Sequence, residues 1–216
     1  MKLDSDGILI GLRPFNERDC VARIFTREHG VMTGMLRGAV VAKKNKPLLG
    51  QVGVASWNAR LDSQLGVFHW DEEKNLAAPL MISPIALGYM NAAFEIIAAM
   101  LPEREEYKSL YDETLDLLRD LSVRPAESYL VWEINLLRDL GYALDLSKCS
   151  GCGVGDDLEF LSPRTGRAVC KKCAAPYINK LYRLPVNLNT TLRFLESVCA
   201  QQGVDVPMMR RMIKNI

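Results

Sequence analysis

The stretch Gly7-Ile-Leu-Ile-Gly-Leu-Arg-Pro-Phe-Asn-Glu-Arg-Asp-Cys-Val-Ala-Arg-Ile-Phe-Thr-Arg-Glu-His-Gly-Val-Met-Thr-Gly-Met-Leu36 decides the fold. It holds three short β-rich runs, Gly7 to Leu12, Cys20 to Thr26 and Val31 to Leu36, separated by the turn formers Pro14-Phe15-Asn16 and His29-Gly30. Two further runs, Gln51 to Ala59 and Leu65 to Trp70, follow a polar stretch from Arg37 to Pro47 and flank a turn at Asp62-Ser63. Five short strands predict a small barrel. A five-stranded oligonucleotide-binding (OB) barrel has this size, and strand count alone also fits an SH3-like barrel.

Working outward from the strands, the apolar period changes near Pro79. Ser83-Pro84 reads as an N-cap followed by proline at the first helical position, and Leu87, Met90, Phe94, Ile97 and Leu101 then recur at helical spacing. A second helix is expected from about Glu105 to Leu121, and a third from Pro125 to a glycine stop at Gly141. Leu188 to Gln202 and Pro207 to Ile216 read as helical again. The expectation is an α+β protein of two domains, a barrel over residues 1–78 and a helical domain over 79–216 with a cysteine segment at 147–176 inserted.

With 49% apolar and 25% charged residues over 216 positions, the chain has the composition of an ordinary globular protein. Asp4 and Asp6 interrupt the amino terminus before an apolar run could act as a secretory signal, and the most apolar helix carries Asn91 and Glu95. The chain therefore reads as cytoplasmic, without membrane partners. Its net charge of +1 hides segregation: +2 over residues 1–78, −7 over 79–146 and +6 over 147–216. Such segregation can steer different partners to different faces, or can simply solvate an acidic helical surface.

The sharpest motif is Cys149-Ser-Gly-Cys152, seventeen intervening residues, then Cys170-Lys-Lys-Cys173. Each CxxC places two thiolates on one knuckle. The strands Leu158 to Leu161 and Arg167 to Cys170, joined through Ser162-Pro-Arg-Thr-Gly166, would bring the knuckles together. Four soft thiolates select one structural Zn²⁺ per chain and leave no open position for water or substrate. Reduced buried thiols and a redox CxxC are the alternatives, though the latter would not need the second pair. Cys20 and Cys199 sit in apolar patterns and read as buried hydrophobes. His29 and His69 lie beside no nucleophile signature, and the sequence holds no GxSxG elbow, HExxH or phosphate-cradling glycine loop.

A second signal is Arg37-Gly-Ala-Val-Val-Ala-Lys-Lys-Asn-Lys46, four basic residues and no acid between two expected strands. Arg37, Lys43, Lys44 and Lys46 could contact the phosphates of a strand crossing the barrel, or could merely keep a loop soluble. Arg13, Arg18, Arg23 and Arg60 extend that patch if strand alternation places them on one face. Phe15, Trp57, Phe68 and Trp70 are either stacking platforms or core.

The ordered set Asp6-Gly-Ile-Leu-Ile-Gly-Leu-Arg-Pro-Phe-Asn-Glu-Arg-Asp19, Val21-Ala-Arg-Ile-Phe-Thr-Arg-Glu-His-Gly30 and Met35-Leu-Arg-Gly38 resembles the amino-terminal domain of the bacterial RecO family of recombination mediators. Leu101-Pro-Glu-Arg104, Tyr129-Leu-Val-Trp-Glu133, Leu140-Gly-Tyr-Ala-Leu-Asp-Leu-Ser147 and Ser162-Pro-Arg-Thr-Gly166 resemble stretches of its helical domain and zinc segment. The resemblance implies an N-terminal OB barrel followed by a helical domain with an inserted zinc segment, and a non-enzymatic, nucleoid-associated role in recombinational repair. It also implies binding of single- and double-stranded DNA, annealing of complementary strands, and indirect help to RecA on DNA coated by single-strand-binding protein. The implied protein partners are RecR and the carboxyl-terminal tail of single-strand-binding protein. Two departures stand out. Val40, Val41 and Ala42 make the loop less basic than is usual in the family, and the chain ends soon after Pro207, so a short final helix is expected. A zinc-bearing interaction scaffold that never touches DNA, and a zinc hydrolase, are the rival readings.

Overall fold

The computed structural model describes residues 2–44, 46–61 and 65–213. The expected turn at Asp62-Ser63 and the last three residues of the expected final helix lie outside the described residues. Five strands, β1 (Lys2–Pro14), β2 (Cys20–Thr26), β3 (Gly30–Leu36), β4 (Gln51–Asn58) and β5 (Gly66–Asn75), close in the order β1-β2-β3-β5-β4. All neighbours are antiparallel except β3 and β5, which run parallel where Gly34, Met35 and Leu36 face Gly66, Val67 and Phe68. β1 begins at Lys2 rather than Gly7, and β5 extends to Asn75 rather than Trp70. Apart from Leu3 the extra residues are polar, yet they pair across β4, and backbone pairing does not require an apolar side chain on the solvent face.

The barrel interior holds Leu9, Ala22, Ile24, Met32, Ala55, Trp57 and Phe68. Trp57 is only 1% exposed, and its indole N–H donates to the Thr33 carbonyl at 3.1 Å. Room for this ring comes from two glycines. A Cβ at Gly66 would lie 2.1 Å from the indole, and one at Gly34 would lie 2.7 Å from the Phe68 ring. The first half of β3 lacks β5 as a neighbour, so residues 103–104 cover it instead. Glu103 bridges Val31, and the Arg104 N–H donates to the Val31 carbonyl at 2.9 Å. This leaves no open edge there for intermolecular pairing. The Arg104 guanidinium then lies 4.6 Å from the Trp57 ring centroid, a cation–π contact that caps the barrel core.

Helices follow: α1 (Pro84–Met100), α2 (Lys108–Asp120) and α3 (Pro125–Asp139), then, after the cysteine segment, α5 (Leu188–Gln202) and α6 (Met208–Met212), with a one-turn α4 (Lys171–Ala174) between. Ser83 caps α1 by accepting from the Ala86 N–H, as its position before Pro84 predicts. The second helix starts at Lys108 rather than Glu105, because the preceding segment is held extended against β3. Arg27 and Asp112 join α2 to the barrel through two hydrogen bonds of 3.1 and 2.9 Å. Gly141, with φ +88°, ends the third helix as expected. None of the described helices is long and apolar enough to cross a membrane.

Two compact units result, one of Met1–Tyr129 with Pro207–Arg210 and one of Leu130–Val206 with the residues from Arg211 onward. The first two helices thus pack with the barrel rather than with the cysteine segment. Because Trp57 and Gly66 are mutually fitted, Gly66→Ala should destabilise the first unit by about 1–3 kcal/mol, the usual cost of overpacking. Chemical denaturation of the variant against wild type checks this.

Candidate metal centre and nucleic-acid interface

In the second unit, β6 (Leu158–Leu161), β7 (Ala168–Cys170) and β8 (Tyr182–Arg183) form a small sheet in the order β7-β6-β8. The hairpin read from the sequence is present, and β8 is a third strand that a two-residue run gives no means of foreseeing. Cys170 ends β7 and Cys173 sits in α4. Cys149 and Cys152 lie on a loop closed by the Cys149 N–H to the Val154 carbonyl at 2.8 Å and the Gly153 N–H to the Cys149 carbonyl at 2.9 Å. Gly153 turns that loop at φ +79°. All four sulfurs lie within 4.8 Å of one another, close enough to hold a single metal ion. The Cys152 and Cys170 sulfurs are 3.7 Å apart. A tetrahedral site with metal–sulfur bonds of about 2.3 Å has sulfur–sulfur edges of about 3.8 Å.

The electrostatics suit a cation. Backbone N–H groups of Cys170 and Gly151 point at the Cys149 sulfur at 3.3 and 3.4 Å, and these bonds, led by Cys170, pull its thiol down to about 6. Cys173 is pushed up to about 12, chiefly by hydrogen bonds to Cys152, Cys170 and Cys149. Without a cation the cluster favours a thiolate at Cys149 and a proton on Cys173; a dication would hold all four as thiolates. Gly151 packs closely here: a Cβ there would lie 3.0 Å from the Cys173 sulfur, which would have to give by a few tenths of an ångström. Of the nearby lysines, Lys171 pairs with Glu159 at 3.5 Å, while Lys148 and Lys172 are exposed.

On the barrel, strand register sorts the charges onto two faces. Along β1, β4 and β5 the outward positions include Lys2, Asp4 and Asp6, then Ser56 and Asn58, then His69 and Asp71. His69 lies 3.2 Å from Asp71, and both are exposed. On this face the carboxylates Asp4, Asp6 and Asp71 stand beside one lysine, Lys2, which is ion-paired to Asp4. The β1–β2–β3 face is different. A bulge at Ile10 shifts the register between Leu9 and Gly11, so Leu9 and Leu12 both point inward while Gly11 and Arg13 point outward. Arg13, Val21 and Met35 then form one row across the three strands, and Gly11, Arg23 and Thr33 the next.

Asp19 joins the turn between β1 and β2 to the basic loop. Its carboxylate accepts the Gly38 N–H at 2.8 Å, and the Val40 N–H donates to the Arg18 carbonyl at 3.0 Å. The Gly38 amide, then Asn16, then Arg18 and Arg37 hold the Asp19 carboxyl below its ordinary range. Arg18 and Arg37 are thereby brought together, which the sequence could not decide. Among the described residues, Arg13, Arg18, Arg37, Lys43, Lys44, Lys46 and Arg60 are exposed and form no ion pair. Arg60 follows the end of β4, where Asn58 faces Val67. Arg23 is tied to the Ala98 carbonyl of α1 at 3.2 Å. Of the four aromatics, Trp57 and Phe68 are core, Trp70 is half-buried against it, and Phe15 is 61% exposed on the turn beside Arg13 and Arg18.

Comparison with known proteins places this geometry in a family. The model of the recombination protein O N terminal domain matches residues 1–69, and that of the recombination protein O C terminal domain matches residues 83–203. The chain belongs to the RecO family. It is 38% identical to the DNA repair protein RecO of Jannaschia sp. (strain CCS1) over 93% of this chain and 83% of that protein. It is likewise 38% identical to the one from Dinoroseobacter shibae over 83% and 76%, and 37% identical to the one from Brucella abortus over 88% and 78%. RecO membership carries a role in DNA repair and recombination. The α+β architecture and the clustered cysteines agree with what the resemblance implied. If Asp19 organises the basic loop of this RecO chain, Asp19→Ala should raise hydrogen exchange at the Gly38 amide by roughly tenfold at fixed pH, as expected for losing a charge-assisted bond.

Proposed function

We propose that the chain is a non-enzymatic mediator of recombinational repair, with residues 1–78 contacting single- and double-stranded DNA and residues 79–216 docking protein partners. The observation that carries this reading is the set of exposed cations that form no ion pair among the described residues, Arg13 on the outer face of β1 and Arg18, Arg37, Lys43, Lys44, Lys46 and Arg60 in the turns and loops of the barrel. Arg37, Lys43, Lys44, Lys46, Arg13 and Arg60 take phosphates of a strand crossing the barrel. Phosphate contacts position a strand without reading it, leaving most bases free to pair. Cations that neutralise the backbone also lower the repulsion between two complementary strands, which is what annealing requires.

Cys149, Cys152, Cys170 and Cys173 hold one structural Zn²⁺. The all-thiolate donor set and the sulfur spacing favour zinc, and four thiolates leave no coordination position for a hydrolytic water. In the family's setting the partners are RecR and the acidic tail of single-strand-binding protein, with RecA helped indirectly. A groove of the second unit, lined by Leu158, Phe160, Ile178, Leu184 and Pro185 with Arg183 and the Lys171–Glu159 pair beside them, combines an apolar wall with two cations, one of them already paired, and is the candidate seat for such a tail.

Two outcomes follow. Purified protein should contain one zinc per chain, and Cys152→Ser should lose both the metal and part of the thermal stability, checked by metal analysis and melting. Site energies of about 10–16 kcal/mol in zinc peptides make a silent substitution incompatible with the assignment. Binding of single-stranded oligonucleotide should fall with salt at a logarithmic slope of roughly −3 if four cations engage, at about −0.7 per phosphate. Replacing Lys43, Lys44 and Lys46 with alanine should flatten that slope by about 2 while leaving sequence preference unchanged, as measured by fluorescence anisotropy.

A further inference from the structure

On the β1–β2–β3 side lies a groove of about 360 Å³ between the outer surface of β1–β2 and helix α1. That volume falls within the roughly 300–1,000 Å³ typical of small-ligand sites. Its lining includes Gly11, Arg13, Val21 and Arg23 from the strands and Phe94 and Glu95 from the helix. The bulge at Ile10 is what turns Gly11 outward, and glycine there leaves the floor without a side chain. Gly11 does not have a positive φ, so its backbone does not demand glycine; an added Cβ would meet only the Arg23 side chain, at 3.3 Å.

Three features select the occupant. The Arg23 guanidinium donates to the Ala98 carbonyl at 3.2 Å and lines the groove, and a guanidinium plane is a surface on which unstacked bases stack. Glu95 carries a carboxylate into the lining, with one oxygen accepting the Met209 N–H at 3.0 Å. A carboxylate there repels a phosphate and welcomes a neutral group bearing N–H donors, such as the exocyclic amine of cytosine or adenine. Arg13 stands at the rim without an ion pair, in the same row as Val21 and Met35, where a flanking phosphate can be met.

We infer that this groove is a subsite for one unpaired nucleobase of single-stranded DNA, stacked against Arg23 with its neighbouring phosphate on Arg13. The assignment rests on the DNA-binding reading above and adds strand selectivity to it: a base can enter only when unpaired, whereas the basic loop holds phosphates of either form. Stacking is worth about 1–3 kcal/mol per base, so filling the groove should cost about 5- to 150-fold in affinity.

The test fills the space from both sides in the full chain, with Gly11→Val from the sheet and Ala98→Met from the helix, using oligo(dC), a duplex of equal length and an abasic chain of the same phosphates. Both variants should weaken oligo(dC) binding at least fivefold, leave the duplex and abasic chain within twofold of wild type, and keep the wild-type salt slope. Melting temperatures near wild type for either variant confirm that it is folded. Unchanged oligo(dC) affinity in a folded variant, while the triple lysine variant still loses affinity, overturns the subsite and leaves the DNA-binding reading intact. Equal losses on all three probes, or a flatter slope, also overturn it, since the groove would then hold a phosphate. Failure of wild type to bind any probe overturns both readings.

Discussion

The fit of Trp57 into the barrel is the constraint on which the rest of the first unit depends. A large ring in a five-stranded barrel needs space that only Gly34 and Gly66 provide, and these two residues face each other where β3 and β5 close the sheet. Burial of the indole, its N–H bond to Thr33 and the parallel closure are therefore one event. The closure is also incomplete, because β3 meets β5 only over its last residues. Glu103 and Arg104 cover the remainder, and Arg104 caps the indole while its amide pairs with Val31. This explains why the segment before α2 stays extended and why the first helices pack with the barrel.

That geometry also fixes what each face of the barrel offers. A strand with an unbroken period of two would present residues of one parity along its length. The bulge at Ile10 breaks the period, so Gly11 and Arg13 both join the outward face while Leu9 and Leu12 stay in the core. Arg13 of β1 then shares a row with Val21 and Met35, while Asp4 and Asp71 lie along β4. Asp19 completes the arrangement by receiving the Gly38 amide between Arg18 and Arg37. Charge sorting here is a consequence of strand register, and register is set by the core.

Much of this was legible in the sequence. The strand runs, the Ser83-Pro84 cap, the Gly141 stop and the helix Leu188–Gln202 follow from local chemistry, which acts over a few residues. The clustering of Cys149, Cys152, Cys170 and Cys173 follows from paired CxxC spacing around a readable hairpin. What was not legible depends on contacts distant in sequence: β8, whose two residues gain a partner only from β6, and the cover that residues 103–104 give to Val31. The face assignment of Arg13 and Arg23 needed the bulge, which leaves no signature in composition. Arg18 and Arg37 needed Asp19 as a bridge.

The central claim is that DNA crosses the β1–β2–β3 side of the barrel and avoids the β4–β5 side. Backbone hydrogen exchange of the full chain, with and without saturating single-stranded oligonucleotide, tests it most directly. The account predicts slowed exchange over residues 11–23 and 33–44 and none over 52–58 or 69–73. Protection confined to 52–58 and 69–73, or to the second unit, would contradict it.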